Sequence, residues 1–239
     1  MRIAMIVGSY PAEEKKRRAD VILSYARDDA EIGLVEVSPS PYVPGFGSGP
    51  TVSAVPDFVA GCRQAEQEGY DAVIPLGVLD IGVDEGRDAV GIPVIGAFES
   101  AIHIASFLGR RIGVIAYSSG LLPVLETLAK KYRVDRMICG YDDVGIELPN
   151  LAAASDRLED EFCAAAERLQ SRHGAEVIVS AGISLCPLHL DKTVLEGRLQ
   201  LPVVEAIGAP IEMARVLIRL GLRHSRRRWS DAPLTLTSP

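Results

Sequence analysis

GYDAVIPLGVLDIGVDEGRDAVGIP, residues 69–93, is the stretch on which the fold turns. Its apolar run at 72–76 is short and bounded by glycines, the pattern of a strand buried on both faces in a parallel sheet. A turn opens at Gly77, a short polar helix follows, and a second strand begins at Pro93. The same order recurs in GAEVIVSAGISLCPLHLDKTVLEGRLQLP, residues 174–202. Gly69 lies eight residues before Gly77, and Gly174 eight before Gly182. Beyond the turn the second copy is four residues longer: sixteen steps separate Gly77 from Pro93, and twenty separate Gly182 from Pro202. Counted back from the proline, the equivalent of Gly77 is Cys186; counted forward from Gly174, it is Gly182. One unit is used in two halves, and its two turns are expected to face each other across a cleft.

Outward from these copies, strands and helices alternate. Residues 2–7 read as a strand ending at Gly8-Ser9-Tyr10-Pro11, and residues 12–29 have helical spacing. A strand is expected at 32–37. A proline- and glycine-rich loop with Tyr42 and Phe46 follows at 38–50, either a lid or a surface excursion. Residues 52–68 form a helix leading into the first copy. From 94 a strand passes into a helix near Glu99 that closes at Gly109. The second half repeats the scheme: a strand at 111–117, the turn Ser118-Ser119-Gly120, a helix at 121–132, a strand at 134–140 and a long helix at 152–172. A last helix spans 206–222. This alternation implies mostly parallel sheets covered by helices. The predicted fold is α/β, with two pseudo-symmetric, Rossmann-like, three-layer lobes and an interlobe cleft. Residues 1–95 plus 205–225 are assigned to lobe 1 and 96–204 to lobe 2. Residues 226–239, which begin with Arg226-Arg227-Arg228, are expected to be a flexible tail.

Composition narrows the class. The 239 residues are 48% hydrophobic and 5% aromatic, a normal globular core. A net charge of −7 argues against nucleic acid as a partner. No apolar run approaches the roughly 18 residues of a membrane span, and the N-terminus lacks a signal-peptide pattern. The four cysteines (Cys62, Cys139, Cys163, Cys186) contain no CxxC pair, which points away from a zinc site or a disulfide framework. A cytoplasmic protein without a metal or cofactor is expected.

In parallel α/β folds, ligands bind beyond the C-terminal ends of the strands. The loops there are small or hydroxyl-bearing, and their N–H groups suit an anion. They nominate Ser9, Tyr10, Gly77, Val78, Ser118, Ser119, Gly182 and Ile183 as binding residues for a carboxylate-like or amide group. Cys186 precedes Pro187, a residue favoured at a helix start, where the dipole lowers a thiol pKa; the alternative is a packed core thiol. His189 would then share its helical face. Asp80 is either a base or the cap of the short helix containing Asp84. Glu99 and His103 are spaced as a helical pair. Cys62, Cys139 and Cys163 read as structural.

GYDAVIPLGVLD, GIPVIGAFESA, RIGVIAY and GAEVIVSAG…LPVVEA together resemble the aspartate/glutamate/hydantoin racemase superfamily, nearest to its hydantoin racemase branch, up to about Gly221. PVIGAFESA is the most specific part. The resemblance implies two α/β lobes and cofactor-free proton transfer next to a carbonyl by two facing thiols. It also implies a small-molecule substrate and a homo-oligomer. Arg87 and Glu99 match residues usual in the family, but the first cysteine position holds Gly77. The second holds Gly182, or Cys186 if the extension precedes it. The arylmalonate decarboxylase branch, with glycine first and one second-lobe cysteine, is the precedent for a single-thiol enzyme. A non-catalytic anion-binding homologue is the third alternative.

Overall fold

The computed structural model describes residues 1–8, 10–37, 48–147 and 150–230. Strands β1 (Arg2–Val7), β2 (Glu31–Glu36) and β3 (Ala72–Pro75) form one parallel sheet in the order β2-β1-β3. Strands β4 (Ile112–Ala116), β5 (Ile138–Asp143), β6 (Val177–Ser180) and β7 (Val203–Glu205) form a second, also parallel, in the order β5-β4-β6-β7. Where β7 closes the second sheet, the first has a single bridge from Val73 to Val94. The strand expected from Pro93 is therefore one residue of pairing, and the helix starts soon after, at Ala97. The strand expected at 134–140 is displaced as well: residues 135–137 make one 3₁₀ turn and β5 begins at Ile138.

β1 shows why the first lobe has three layers. Successive side chains point to opposite faces, so Ile3, Met5 and Val7 enter one core and Ala4 and Ile6 another. Helices α1 (Ala12–Leu23) and α8 (Gly208–Arg219) cover the first face through Ile22, Ile211 and Ala214. Helices α2 (Ser48–Gln67) and α3 (Val83–Ala89) cover the other through Phe58, Cys62, Ala65 and Val83. The second sheet is packed by α4 (Ala97–Leu108), α5 (Leu122–Tyr132), α6 (Ser155–His173) and α7 (Lys192–Leu199), which contribute Ile102, Leu125, Phe162 and Leu195 to one large core.

The lobes exchange helices. The chain leaves the first sheet at Val94 and enters α4, whose Phe98, Ala101 and Ile102 pack in the second core. It leaves the second sheet at β7 and enters α8, which packs in the first.

The sheet ladders align the two sequence copies. Ile3 pairs with Ala72 and Ile112 pairs with Val177, so Ala72 and Val177 are equivalent, and five residues on so are Gly77 and Gly182. α3 starts six residues after Gly77 and α7 ten after Gly182, while both helices start ten before their proline. The four extra residues thus lie between the turn and the helix. Gly182, not Cys186, stands opposite Gly77. A strand held by ladders on both sides cannot slip, whereas a turn leading to a surface helix absorbs an insertion.

The tail is ordered as far as Ser230. His224 Nε2 accepts from Val94 N at 2.8 Å, Arg226 bonds the carbonyls of Arg87 and Val90, and Trp229 lies 5.3 Å from the Arg87 guanidinium. The flexible tail expected from 226 is corrected for residues 226–230; residues 231–239 lie outside the described ones.

Candidate active site

The site is built from two equivalent turns. Gly77 and Gly182 have φ of 128° and 113°, a region that suits glycine because it has no Cβ. The turns interlock across the lobes: Val78 and Leu79 join the second-lobe core, and Ile183 and Leu188 pack against the first. A Cβ on Gly182 would stand 3.7 Å from Val78 Cγ1, whereas one on Gly77 would meet nothing within 4 Å among the described residues. The backbone N–H groups of Val78, Leu79, Ile183 and Ser184 have no acceptor among the described residues, although all four residues are buried. Buried N–H groups are normally paired. Four such groups, on two turns that meet where Val78 lies against Gly182, are a candidate cradle for oxygen.

The remaining binding candidates cluster unevenly. Strand pairing sets the end of β4 beside that of β6, so the Ser118-Ser119 turn leaves the same end of the sheet as Gly182. Ser118 is buried and Ser119 exposed. The ring of Tyr10 lies 4.5 Å from the guanidinium of Arg18, a fully buried α1 side chain. Arg18 spans the lobes: its Nη2 donates to Ser184 Oγ at 2.8 Å, and its Nε to Glu14 Oε1 at 2.8 Å. Ser9, Tyr42 and Phe46 lie outside the described residues.

Asp80 is placed as a cap. Its Oδ1 accepts from Phe98 N at 3.0 Å and its Oδ2 from Glu99 N at 3.1 Å, so it closes the first turn of α4 and not α3, the helix containing Asp84. Gly96 makes room for it, since a Cβ there would stand 2.5 Å from Oδ2. Burial pushes the carboxyl up to about 6, against the pull of its two N–H bonds. The Tyr132 hydroxyl faces the same carboxylate, short of hydrogen-bond geometry, and burial and Asp80 both raise its pKa. Each Asp80 oxygen accepts one N–H from the first turn of α4, and that arrangement gives the carboxylate a structural task at the helix start.

The other lobe repeats the device with different residues. Glu205 accepts from Gly208 N at 2.6 Å and from Ile207 N, capping α8, and the Tyr25 hydroxyl donates to it at 3.0 Å. Burial raises the pKa of Glu205 and, before the Glu205 charge, that of Tyr25.

Cys186 departs from expectation. No helix starts beside it; α7 begins at Lys192, where Asp191 caps it through Thr193 N and Val194 N. The thiol is fully buried in the second-lobe core, and burial, then the Glu205 charge, push it up to about 12. The structure gives it neither the helix dipole nor the exposure that make a reactive thiolate. His189 likewise shares no helical face with it. Glu99 pairs with Arg87 at 2.5 Å, while His103 Nδ1 meets the Glu99 carbonyl oxygen at 2.7 Å. Cys62 and Cys163 are in helices and Cys139 in a strand, as expected.

Arg18, Glu205 and the two tyrosines were not nominated by the sequence. One signal was readable: in the aligned copies, Gly96 stands opposite Glu205, so the cap had to come from elsewhere in the first lobe. Among the described residues no group of three metal-ligating side chains occurs, and no helix is long and apolar enough to cross a membrane.

Residues 22–214 match the model of the family described as Asp/Glu/Hydantoin racemase. The chain belongs to that family. A relative of the family, the hydantoin racemase of Rhizobium meliloti, is 30% identical over 184 residues, covering 75% of this chain and 73% of its own. In fold, the chain is similar to an allantoin racemase from Pseudomonas fluorescens, with a TM-score of 0.89, 22% identity and full coverage of both chains. Unliganded arylmalonate decarboxylase is a more distant match, with a TM-score of 0.63, 19% identity and coverage of 97% and 99%. Membership of the family makes this an enzyme of the racemase kind. Its two turns nevertheless carry glycine where the family resemblance places thiols.

Proposed function

We propose that this racemase-family enzyme moves a proton at the carbon next to a carbonyl of a small cyclic amide or imide, or a related carboxylate. The turn N–H groups, not thiols, would do most of the work. The observation that carries this is the cradle of buried, unaccepted N–H groups at Val78, Leu79, Ile183 and Ser184. Such donors act on charge that develops on oxygen as the neighbouring C–H ionises. They thereby acidify that carbon for whichever base reaches it. Among the described residues nothing would lie within 4 Å of a Cβ at Gly77, which supports room for water in the place a thiol would fill. Solvent would then serve as base and acid, with isotope exchange and loss of configuration at equal pace. A cytoplasmic, cofactor-free homo-oligomer is part of the same proposal.

The single-thiol lyase reading draws no support from a buried Cys186 with a raised pKa. A binding homologue keeps the cradle without the chemistry, and the absence of thiols at both turn centres favours it as the second reading. Proton–deuterium exchange followed by ¹H NMR over hydantoins, amino acids and substituted malonates separates the two. Exchange at C5 of a hydantoin above the uncatalysed rate supports the enzyme. Binding with no exchange across the panel supports the binding protein.

A further inference from the structure

The two turns agree in backbone but not in side chain at their third residue, which is Leu79 in one lobe and Ser184 in the other. Ser184 is 7% exposed and sits on the second-lobe turn, next to its own unaccepted N–H. Arg18 reaches it from α1 of the first lobe, and Arg18 is itself only 2% exposed. A serine hydroxyl has one hydrogen to donate and two lone pairs. One lone pair takes the Arg18 Nη2 hydrogen at 2.8 Å. The guanidinium cannot accept, so the serine hydrogen must point away from it. Among the described residues nothing else accepts that hydrogen. Arg18 is held in turn by Glu14 at 2.7 Å and by the Tyr10 ring face, so the direction is fixed from behind.

We propose that Ser184 is a side-chain donor to the ligand oxygen in the cradle, and that Arg18 is the positioning residue that aims it. This rests on the cradle reading above and adds a sidedness to it. The second-lobe turn offers two backbone N–H groups and an O–H, while the first-lobe turn offers N–H groups beside a leucine. Developing charge should therefore settle on the oxygen nearer Ser184. Because Glu14 balances the Arg18 charge, the site suits a carbonyl becoming an enolate better than a permanent dianion such as a malonate.

The test uses the full chain and 5-methylhydantoin, read in two ways: C5 deuterium exchange by ¹H NMR, and the shifts of the Val78 and Ile183 amides by ¹⁵N–¹H NMR. Ser184→Ala should slow exchange about a hundredfold, the usual loss for one oxyanion donor, with little change in melting temperature. Ser184→Thr, which keeps the hydroxyl, should recover part of the rate. Arg18→Gln should slow exchange less, and the Ser184→Ala, Arg18→Gln double variant should be no slower than Ser184→Ala alone, because Arg18 acts through that hydroxyl. Wild-type exchange in Ser184→Ala, or losses that multiply in the double variant, would overturn the proposal. If the wild type shows no exchange, the catalytic reading fails and the binding measurement decides this one. Weaker binding by Ser184→Ala then supports it; unchanged binding, or no shift at the cradle amides, overturns it.

Discussion

The first-lobe and second-lobe turns begin alike and end differently. Up to Gly77 and Gly182 the copies share one ladder register, and both glycines have positive φ. Beyond that point each lobe solves one problem its own way: how to satisfy the N-terminus of the helix that crosses to its partner. In the first lobe the cap is Asp80, on the turn, and the strand-end residue is Gly96, which leaves room for it. In the second the strand-end residue is Glu205, which caps α8 itself, and the turn position equivalent to Asp80 is Leu185 in the core. A partly buried tyrosine faces the carboxylate in both. The helix terminus demands an acceptor, but either end of the turn unit can supply it.

If the two devices are equivalent, removing either carboxylate should cost about the same. Asp80→Ala and Glu205→Ala should each lower stability by about 2–4 kcal/mol, since each strands one buried and one part-buried N–H group at a helix start. Urea unfolding measures both; a large loss in one and none in the other would break the comparison. Gly96→Ala should also destabilise, because its Cβ would stand 2.5 Å from Asp80 Oδ2. In an Asp80→Ala background that penalty should vanish, an interaction visible in a double-mutant cycle.

The pH dependence sharpens the comparison next. A carboxyl raised from 3.8 to about 6 holds its proton more tightly in the folded state. Its stability contribution is therefore present below pH 3.8 and is lost as pH rises towards 6, by an amount of about 3 kcal/mol. Asp80→Asn should flatten that part of the curve of unfolding free energy against pH. An unchanged slope between pH 4 and 6 would show that burial does not govern this carboxyl.

Smaller effects are expected at the glycines. Gly77→Ala and Gly182→Ala should each cost about 1–2 kcal/mol from the positive φ alone, read as a shift in melting temperature. Among the described residues the alanine methyl at 77 meets nothing within 4 Å, whereas at 182 it makes an ordinary van der Waals contact with Val78, so the second variant should be slightly less costly. The least effect on stability comes from thiol chemistry. With iodoacetamide at pH 7.5, partly exposed Cys139 should label before buried Cys186, and a thiol introduced by Gly77→Cys should label faster than either. Labelling of Cys186 first, as judged by mass spectrometry, would reverse its assignment to the core.

Most of the architecture was legible because period and punctuation are local. The doubled strand–glycine–helix unit predicted parallel sheets and facing turns, and the strand-end rule led to Val78 and Ile183. Cys186 was misread because two ends of one repeat gave two answers, and proline after a cysteine suggested a helix start that does not form. Asp80 was read as a base or as the cap of its neighbouring helix, since its true partners, Phe98 and Glu99, are eighteen and nineteen residues away. Arg18 escaped notice because it is one basic residue in the run Lys15-Lys16-Arg17-Arg18, and its partner Ser184 is 166 positions further on.

By itself the sequence determined the two-lobe α/β repeat, the glycine turns and the racemase-family likeness. Each rests on spacing within a few tens of residues, which hydrophobic burial and backbone sterics convert directly into structure. Only the tertiary structure decided which of Gly182 and Cys186 faces Gly77, which carboxylate caps which helix, and that Arg18 holds Ser184. Those outcomes depend on ladder register, on helices exchanged between lobes, and on which polar groups find partners once water has been excluded from the seam.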